Sequence, residues 1–250
     1  MPKRNQKDID EVLRNWPYSA EEVRVRTVKA SDGRQVLQMR VELGVLQLET
    51  TDRPDGLRPG GFATYLDQLL AEELRGGEMA KLTDEQCIEI DREFMQFYHR
   101  RICWLQLGEY ARAVEDADHT LALMDLVKRH SPSEEWTFSH EKYRPLVLFH
   151  RTHAAARAVL DGPSGAEAAI GEINTGLQRI RDFFDGDERF SDVEFEKLEF
   201  VEQLMELRET LRTEFKVGQT LNERLNDAIA NERYEEAARL RDELRQRNAR

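Results

Sequence analysis

The chain has 250 residues, and its 49 Asp and Glu outnumber its 37 Lys and Arg to give a formal net charge of -12. Such an acidic balance works against non-specific attachment to DNA, RNA or anionic membranes, which select a basic field, although a local basic patch is compatible with it. Hydrophobic residues at 40% beside charged ones at 34% describe a soluble, surface-rich, helical chain, long enough to bury a core as one large domain or two small ones.

The start, Met1-Pro2-Lys3-Arg4-Asn5-Gln6-Lys7, is basic with no apolar segment behind it, so neither a signal peptide nor a membrane span is expected. Cys87 and Cys103 form no CxxC pattern. They indicate neither a disulfide framework nor a zinc ribbon, and a reducing cytoplasm is the expected compartment. Ile9, Val12, Leu13 and Trp16 recur at helical spacing, and Pro17 stops that helix. The period then changes to two. Val23, Val25 and Thr27 alternate with charges, and Leu37, Met39, Val41 and Leu43 alternate with Gln38, Arg40 and Glu42. With Ser31-Asp32-Gly33-Arg34 as the turn, this predicts a β-hairpin, extended by Val45 to Glu49 after a bulge at Gly44. Such a hairpin is marginal alone and needs a helix or a third strand on its apolar face.

Thr51 to Gly61 holds two turn clusters, Pro54-Asp55-Gly56 and Pro59-Gly60-Gly61. A Gly-rich loop before a helix can hold a phosphate on its amides. No Lys-Ser or Lys-Thr follows Gly61, however, and GxxxxGK[ST] and GxGxxG do not occur, so turn chemistry suffices to explain the loop. Phe62, Tyr65, Leu66, Leu69 and Leu70 mark a helix face that Arg75-Gly76-Gly77 ends. From Thr83 onward the pattern is nearly all helical, opening with a capping box of Thr83 and Gln86.

Phe97 to Leu121, with Leu107-Gly108-Glu109-Tyr110 as the inter-helix turn and Ala113, Val114 and Ala117 on the second helix, resembles a tetratricopeptide repeat. A weaker copy from about Tyr143 to Phe183 has Gly165 in the turn, Ala169-Ile170 and Leu177. From Ala113 to Ala169 the offset is 56 residues, against the family's 34; an insertion around Ser131 to His140 accounts for the difference. Two readings stay open: repeats capped by flanking helices, with a concave peptide-binding surface, or a plain bundle whose antiparallel hairpins mimic the pattern. A polar break comes next, at Asp185-Gly186-Asp187-Glu188-Arg189-Phe190. Leu198, Val201, Met205, Leu211 and Phe215 then stripe a long helix. That helix either projects the C-terminal segment as an arm or lies across the bundle.

The C-terminal segment, after an interruption at Gly218, is the most informative stretch. Leu221, Leu225, Ala228 and Ile229 share one helix face, and Tyr234, Ala237, Leu240 and Leu244 share another. Between them Asn231-Glu232-Arg233 supplies a turn, with Asn231 suited to the left-handed conformation. Ala228, Ala237 and Ala238 allow two backbones to approach closely, while Glu235–Arg239 and Arg239–Glu243 are spaced as outer-face pairs. The pattern Leu221, Leu225, Ala228, Ile229, Glu232, Tyr234, Glu235, Ala237, Ala238, Leu240, Arg241 and Asp242 resembles the UVR motif, named for the excision-repair proteins UvrB and UvrC. In that family the motif is a helical hairpin that pairs with another copy, and it also occurs in Clp-type ATPases and an activator of protein arginine kinase. The resemblance therefore implies a contact and not a reaction. Independently, a hairpin this short is marginal in water and must bury its stripe somewhere, on a partner or on its own domain.

Candidate chemistry is thin. His150 and His153 stand i,i+3 on one helix with His140 and Glu141 upstream, but there is no HExxH, and the simpler account is surface or hydrogen-bonded core histidines. His99 and His119 have no evident partner in the sequence, and Cys103 beside Trp104 reads as core packing. Neither GxSxG nor a kinase signature occurs. Arg239, Arg241, Arg245, Arg247 and Arg250 are interleaved with Glu235, Glu236, Asp242 and Glu243, which makes a solvated, ion-paired face a better account than a nucleic-acid contact.

The expected fold class is mainly α with a small N-terminal β-hairpin element (α+β). An N-terminal module spans 1–80, a tetratricopeptide-like region 81–186, a long connecting helix 187–217 and the UVR-like hairpin 218–250. The expected function is a non-enzymatic cytoplasmic interaction protein with no catalytic residue, cofactor or metal. It docks a protein partner, another UVR-containing chain or a second copy of itself, through Leu221, Leu225, Ala228, Ile229, Tyr234, Ala237, Ala238, Leu240, Arg241 and Leu244. Direct nucleic-acid binding and membrane attachment are not expected. The alternatives are an accessory factor of nucleotide-excision DNA repair, or a regulator of a Clp-type protease or arginine-kinase system. The activator in that last system carries cysteine zinc clusters that this chain lacks.

Overall fold

The computed structural model describes residues 8–76, 81–160, 165–190 and 192–248, so the basic start at 1–7, the Gly77 half of the expected Gly76-Gly77 stop, and Arg250 lie outside the described residues. The chain divides into two units, Met1–Val147 and Leu148–Arg250. It is mainly helical with a small N-terminal antiparallel sheet. No helix among the described residues is long and apolar enough to cross a membrane.

In the first unit a short helix α1 (Asp10–Asn15) precedes three strands, β1 (Val25–Lys29), β2 (Gln35–Val41) and β3 (Gly44–Glu49), paired in the order β1-β2-β3. The expected Asp-Gly turn joins β1 to β2: the Ala30 amide donates to the Arg34 carbonyl at 2.8 Å, and Gly33 takes a φ of 91°. The expectation of a two-stranded hairpin extended past a bulge is corrected. Val41 pairs with Gly44, so Glu42-Leu43 is a two-residue turn and residues 44–49 form a separate third strand. Leu43, read as part of the apolar face, is the turn tip and is 88% exposed. The alternating pattern continued through residues that the hydrogen-bond ladder spends on reversing direction. Because β2 is the central strand, Val36 is buried as well as Leu37, although they point to opposite faces. The α1 segment is tied to the sheet through Trp16, whose carbonyl accepts from Arg40 Nε at 2.7 Å and whose ring lies 4.1 Å under the Arg26 guanidinium.

Helices α2 (Tyr65–Gly76), α3 (Asp84–Leu107), α4 (Tyr110–His130) and α5 (Glu134–Glu141) complete the unit, with α6 (Arg144–Val159) crossing its boundary. Thr83 and Gln86 form the expected capping box. Gly108 reverses the chain between α3 and α4 with a φ of 74°, a conformation that costs an L side chain energy. Ala113 and Ala117, both fully buried, lie on the side of α4 where α3 packs closely. Leu69, Ile90, Leu126 and Val127 centre the core of α2, α3 and α4, and Cys103 and Trp104 are buried as expected. Burial pushes the Cys103 thiol up to about 12, which suits packing and not nucleophilic chemistry.

In the second unit α7 (Gly165–Asp185) packs against α8 (Glu199–Phe215), which leads to α9 (Leu221–Ala230) and α10 (Tyr234–Asn248). Val201, Leu204 and Leu211 hold the buried stripe of α8, whereas Phe215, expected on it, is 52% exposed. The segment before α8 is two short 3-10 turns, Glu188–Phe190 and Phe195–Lys197, and not a continuation of the helix. Phe183, Phe184, Phe190 and Phe195 gather there with ring centroids 5.3 to 6.3 Å apart.

Candidate protein-interaction site

The hairpin begins where α8 ends. Lys216 takes a left-handed conformation at the helix terminus, and Arg212 reaches forward so that its Nη1 donates to the Gly218 carbonyl at 2.9 Å. Thr220 then caps α9 in a full capping box. The Thr220 amide donates to Glu223 Oε2 at 2.8 Å, and the Glu223 amide donates to Thr220 Oγ1 at 3.2 Å. The other oxygen of Glu223 accepts from Asn174 Nδ2 at 2.8 Å and from the Arg212 guanidinium, and Asn174 in turn accepts from Arg208 at 3.0 Å. One carboxylate therefore fastens the hairpin entrance to α7 and α8. Burial alone would push the Glu223 carboxyl up, but the Thr220 amide, Asn174 and Arg212 outweigh it and hold it below the ordinary range.

Beyond that anchor, α9 and α10 pack chiefly on each other. Their small core is Ala228, Ala237 and Leu240, with Leu221 and Leu225 half-buried against it. Ala238 and Leu244 are half-buried and Arg241 is exposed, its nearest acid being Asp242 at 3.7 Å. Ile229 and Tyr234 behave differently from the rest of the sequence-read stripe. They are 52% and 67% exposed, one at the end of α9 and one at the start of α10. The stripe thus divides into an internal seam of alanine and leucine side chains and an uncovered apolar pair at the turn.

The turn corrects one expectation. Asn231 has a φ of -96°, and Glu232, with a φ of 56°, takes the left-handed position. Asn231 instead spends its side-chain amide on Asp227, donating to its carbonyl at 2.8 Å and to Oδ1 at 3.0 Å. Arg233 closes the tip, pairing with Asp227 and, at 2.7 Å, with Glu236. The expected pairs Glu235–Arg239 and Arg239–Glu243 are not formed among the described residues, and the α10 acid that does pair is Glu236, with Arg233.

The other sequence candidates do not assemble. Among the described residues no three His, Cys, Asp or Glu side chains are placed to hold a metal ion, and His153 is pushed down by burial and then by the charge of Arg157. The glycine-rich loop leads into α2, but the amides that would meet a phosphate are engaged. Those of Tyr65 and Leu66 donate to the Glu93 carboxylate at 2.7 and 3.0 Å, and that of Thr64 donates to Asp67 at 3.1 Å.

Sequence reasoning missed two polar constellations. One is the Glu223 anchor; a Thr220-x-x-Glu223 spacing ahead of an apolar run was its signal. The other is buried in the first unit, where Glu93 also meets His119 at 3.0 Å and Arg53 at 3.5 Å, and Arg100 grips Asp116 at 2.7 to 3.2 Å while donating to the Asp52 carbonyl at 2.8 Å. The signal there was charge at positions where the α3 and α4 stripes call for apolar side chains.

Comparison with known proteins gives one family match. Residues 219–246 match the family model of the UvrB/uvrC motif, the segment that forms α9 and α10. Neither the curated proteins nor the solved structures give a match to the chain.

Proposed function

We propose that this chain is a non-enzymatic adaptor that docks a protein through the α9–α10 hairpin, the partner being a second copy of itself or another chain carrying the same motif. The observation that carries this reading is the exposed pair Ile229 and Tyr234 on a hairpin whose own seam is already filled by Ala228, Ala237 and Leu240. Fully burying a large apolar side chain is worth about 1.5–3 kcal/mol, and covering these two, 52% and 67% exposed, would gain about half to two-thirds of that each. The charges around them, Asp227, Arg233 and Glu236, form a polar rim that selects among partners. A two-fold pairing of tips is the simplest version, since a self-complementary patch closes on itself. Light-scattering mass across a concentration series, for the full chain and for an Ile229→Glu, Tyr234→Glu variant, tests it. Concentration-dependent association, or capture of a UVR-hairpin peptide, that the variant loses supports the adaptor; association unchanged in the variant sinks it.

A second reading, an accessory part in DNA excision repair, rests on the motif's occurrence in repair as well as in protein contacts. Fluorescence anisotropy with duplex DNA at two salt concentrations distinguishes direct contact from action through a protein. Binding that weakens steeply with salt would favour direct contact; the net charge of -12 leads us to expect none.

A further inference from the structure

The first unit contains a cavity of about 340 Å³ that no part of the proposed adaptor function uses. Its walls are largely apolar, formed by Phe94 and Tyr98 of α3, by Tyr143 just before α6 and by Leu146 and Val147 in its first turn. Its polar lining is sparse, and most of it is already engaged. His140 directs Nε2 to Asp91 Oδ1 at 2.8 Å and Nδ1 to the Trp136 carbonyl at 3.0 Å. Ser139 donates to the Trp136 carbonyl at 2.6 Å.

Arg101 is the exception. It lines the cavity yet is only 1% exposed. Its Nη1 is turned toward α4, donating to Thr120 Oγ1 at 2.9 Å and toward the Asp116 carbonyl at 3.5 Å. The Asp116 carboxylate is taken by Arg100. Arg101 Nε is buried without any hydrogen-bond partner, and among the described residues the guanidinium forms no ion pair of its own, the Asp116 carboxylate acting on it while bonded to Arg100. Burial pushes the guanidinium down to about 10, against the opposing pull of Asp116 and Tyr98. A buried cation whose neighbouring carboxylate is shared with a second arginine is only partly compensated, and buried charges are normally paired. Nε is enclosed, so the wall offers an anion the charge of the guanidinium and not a hydrogen-bonding edge.

We propose that this cavity binds a small organic monocarboxylate with a compact aromatic or branched apolar body. The positive charge of the Arg101 guanidinium in the cavity wall attracts the carboxylate, and the body lies against Phe94, Tyr98 and Tyr143. The volume falls within the range of small-ligand pockets, roughly 300–1,000 Å³, at its small end. A single negative charge is favoured because Asp91, whose side chain is 54% exposed, also lines the cavity and opposes a second one.

The test uses the full chain and three probe acids, phenylacetate, indole-3-acetate and cyclohexanecarboxylate, each beside its neutral amide, by isothermal titration calorimetry with ligand-observed NMR. The expected result is saturable one-to-one binding of at least one acid, with its amide at least tenfold weaker, and loss of that binding in Leu146→Trp, which fills the cavity. Arg101→Gln should reduce acid binding to the level of the amide; if that variant fails to fold, the acid–amide comparison on the unaltered chain still decides. The proposal is overturned if none of the acids binds, if the matching amide binds within threefold of its acid, or if Leu146→Trp binds as well as the unaltered chain.

Discussion

Position 93 carries a carboxylate where the α3 stripe calls for an apolar side chain, three residues after Ile90 and four before Phe97. It is fully buried and accepts from two backbone amides that would otherwise be orphans at the start of α2. Burial by itself would push the Glu93 carboxyl up, but His119 and the amides of Leu66 and Tyr65 outweigh that and hold it low. Glu93→Gln, which keeps the shape and removes the charge, should cost about 2 kcal/mol in urea denaturation near neutral pH. The folded carboxyl titrates below the unfolded one, so its contribution is complete above the ordinary glutamate value of about 4.3 and drains away as pH falls from there through the folded value. Denaturation midpoints taken downward through that window should fall more steeply for the unaltered chain than for Glu93→Gln; parallel curves would remove Glu93 from the account. Gly176 acts through the volume it leaves free. A methyl added there would lie 1.9 Å from Thr152 Oγ1, so α6 and α7 must part. Gly176→Ala should cost about 1–3 kcal/mol, read as a lowered melting midpoint, and Thr152→Gly in the same chain should recover part of it.

At the scale of elements, the hairpin has two ends with different duties. Its entrance is held by Thr220, Glu223, Asn174 and Arg212. Thr220→Ala removes the cap and should cost about 1 kcal/mol, with amide exchange rising first in α9; exchange spread evenly over the chain would contradict a local role. The tip owes the fold little. Ile229→Glu with Tyr234→Glu should leave stability within about 0.5 kcal/mol while abolishing association. A large loss of stability would mean that these side chains belong to the fold and not to a partner.

At the scale of the whole molecule, Ala228, Ala237 and Leu240 make a hairpin core of their own, while Ile170, Ile173, Ile180, Val201, Leu204 and Leu211 are buried in α7 and α8 ahead of it. A chain ending at Lys216 should therefore still unfold cooperatively, with its melting midpoint lowered by only a few degrees for the loss of the Glu223 anchor. Calorimetry checks this, and a chain that no longer folds would make the hairpin part of the core rather than a docking element.

The sequence by itself determined the helical class, the capping box at Thr83, the turn at Gly108 and the hairpin at 221–244, because each depends on spacing within a few residues of chain. Local pattern also carried the UVR resemblance, which lies within one continuous segment. The tertiary structure alone decided that residues 44–49 are a third strand, that Glu232 and not Asn231 turns the hairpin, and that Ile229 and Tyr234 are left uncovered while Ala228 and Leu240 are not. It alone brought Glu93 to the amides of α2 and left Arg101 Nε buried without a hydrogen-bond partner. The physical reason is the same in each case. Periodicity tells which side chains share a face, but whether that face meets a strand, a carboxylate, a cavity or water depends on residues dozens of positions away, and only the packed chain brings those together.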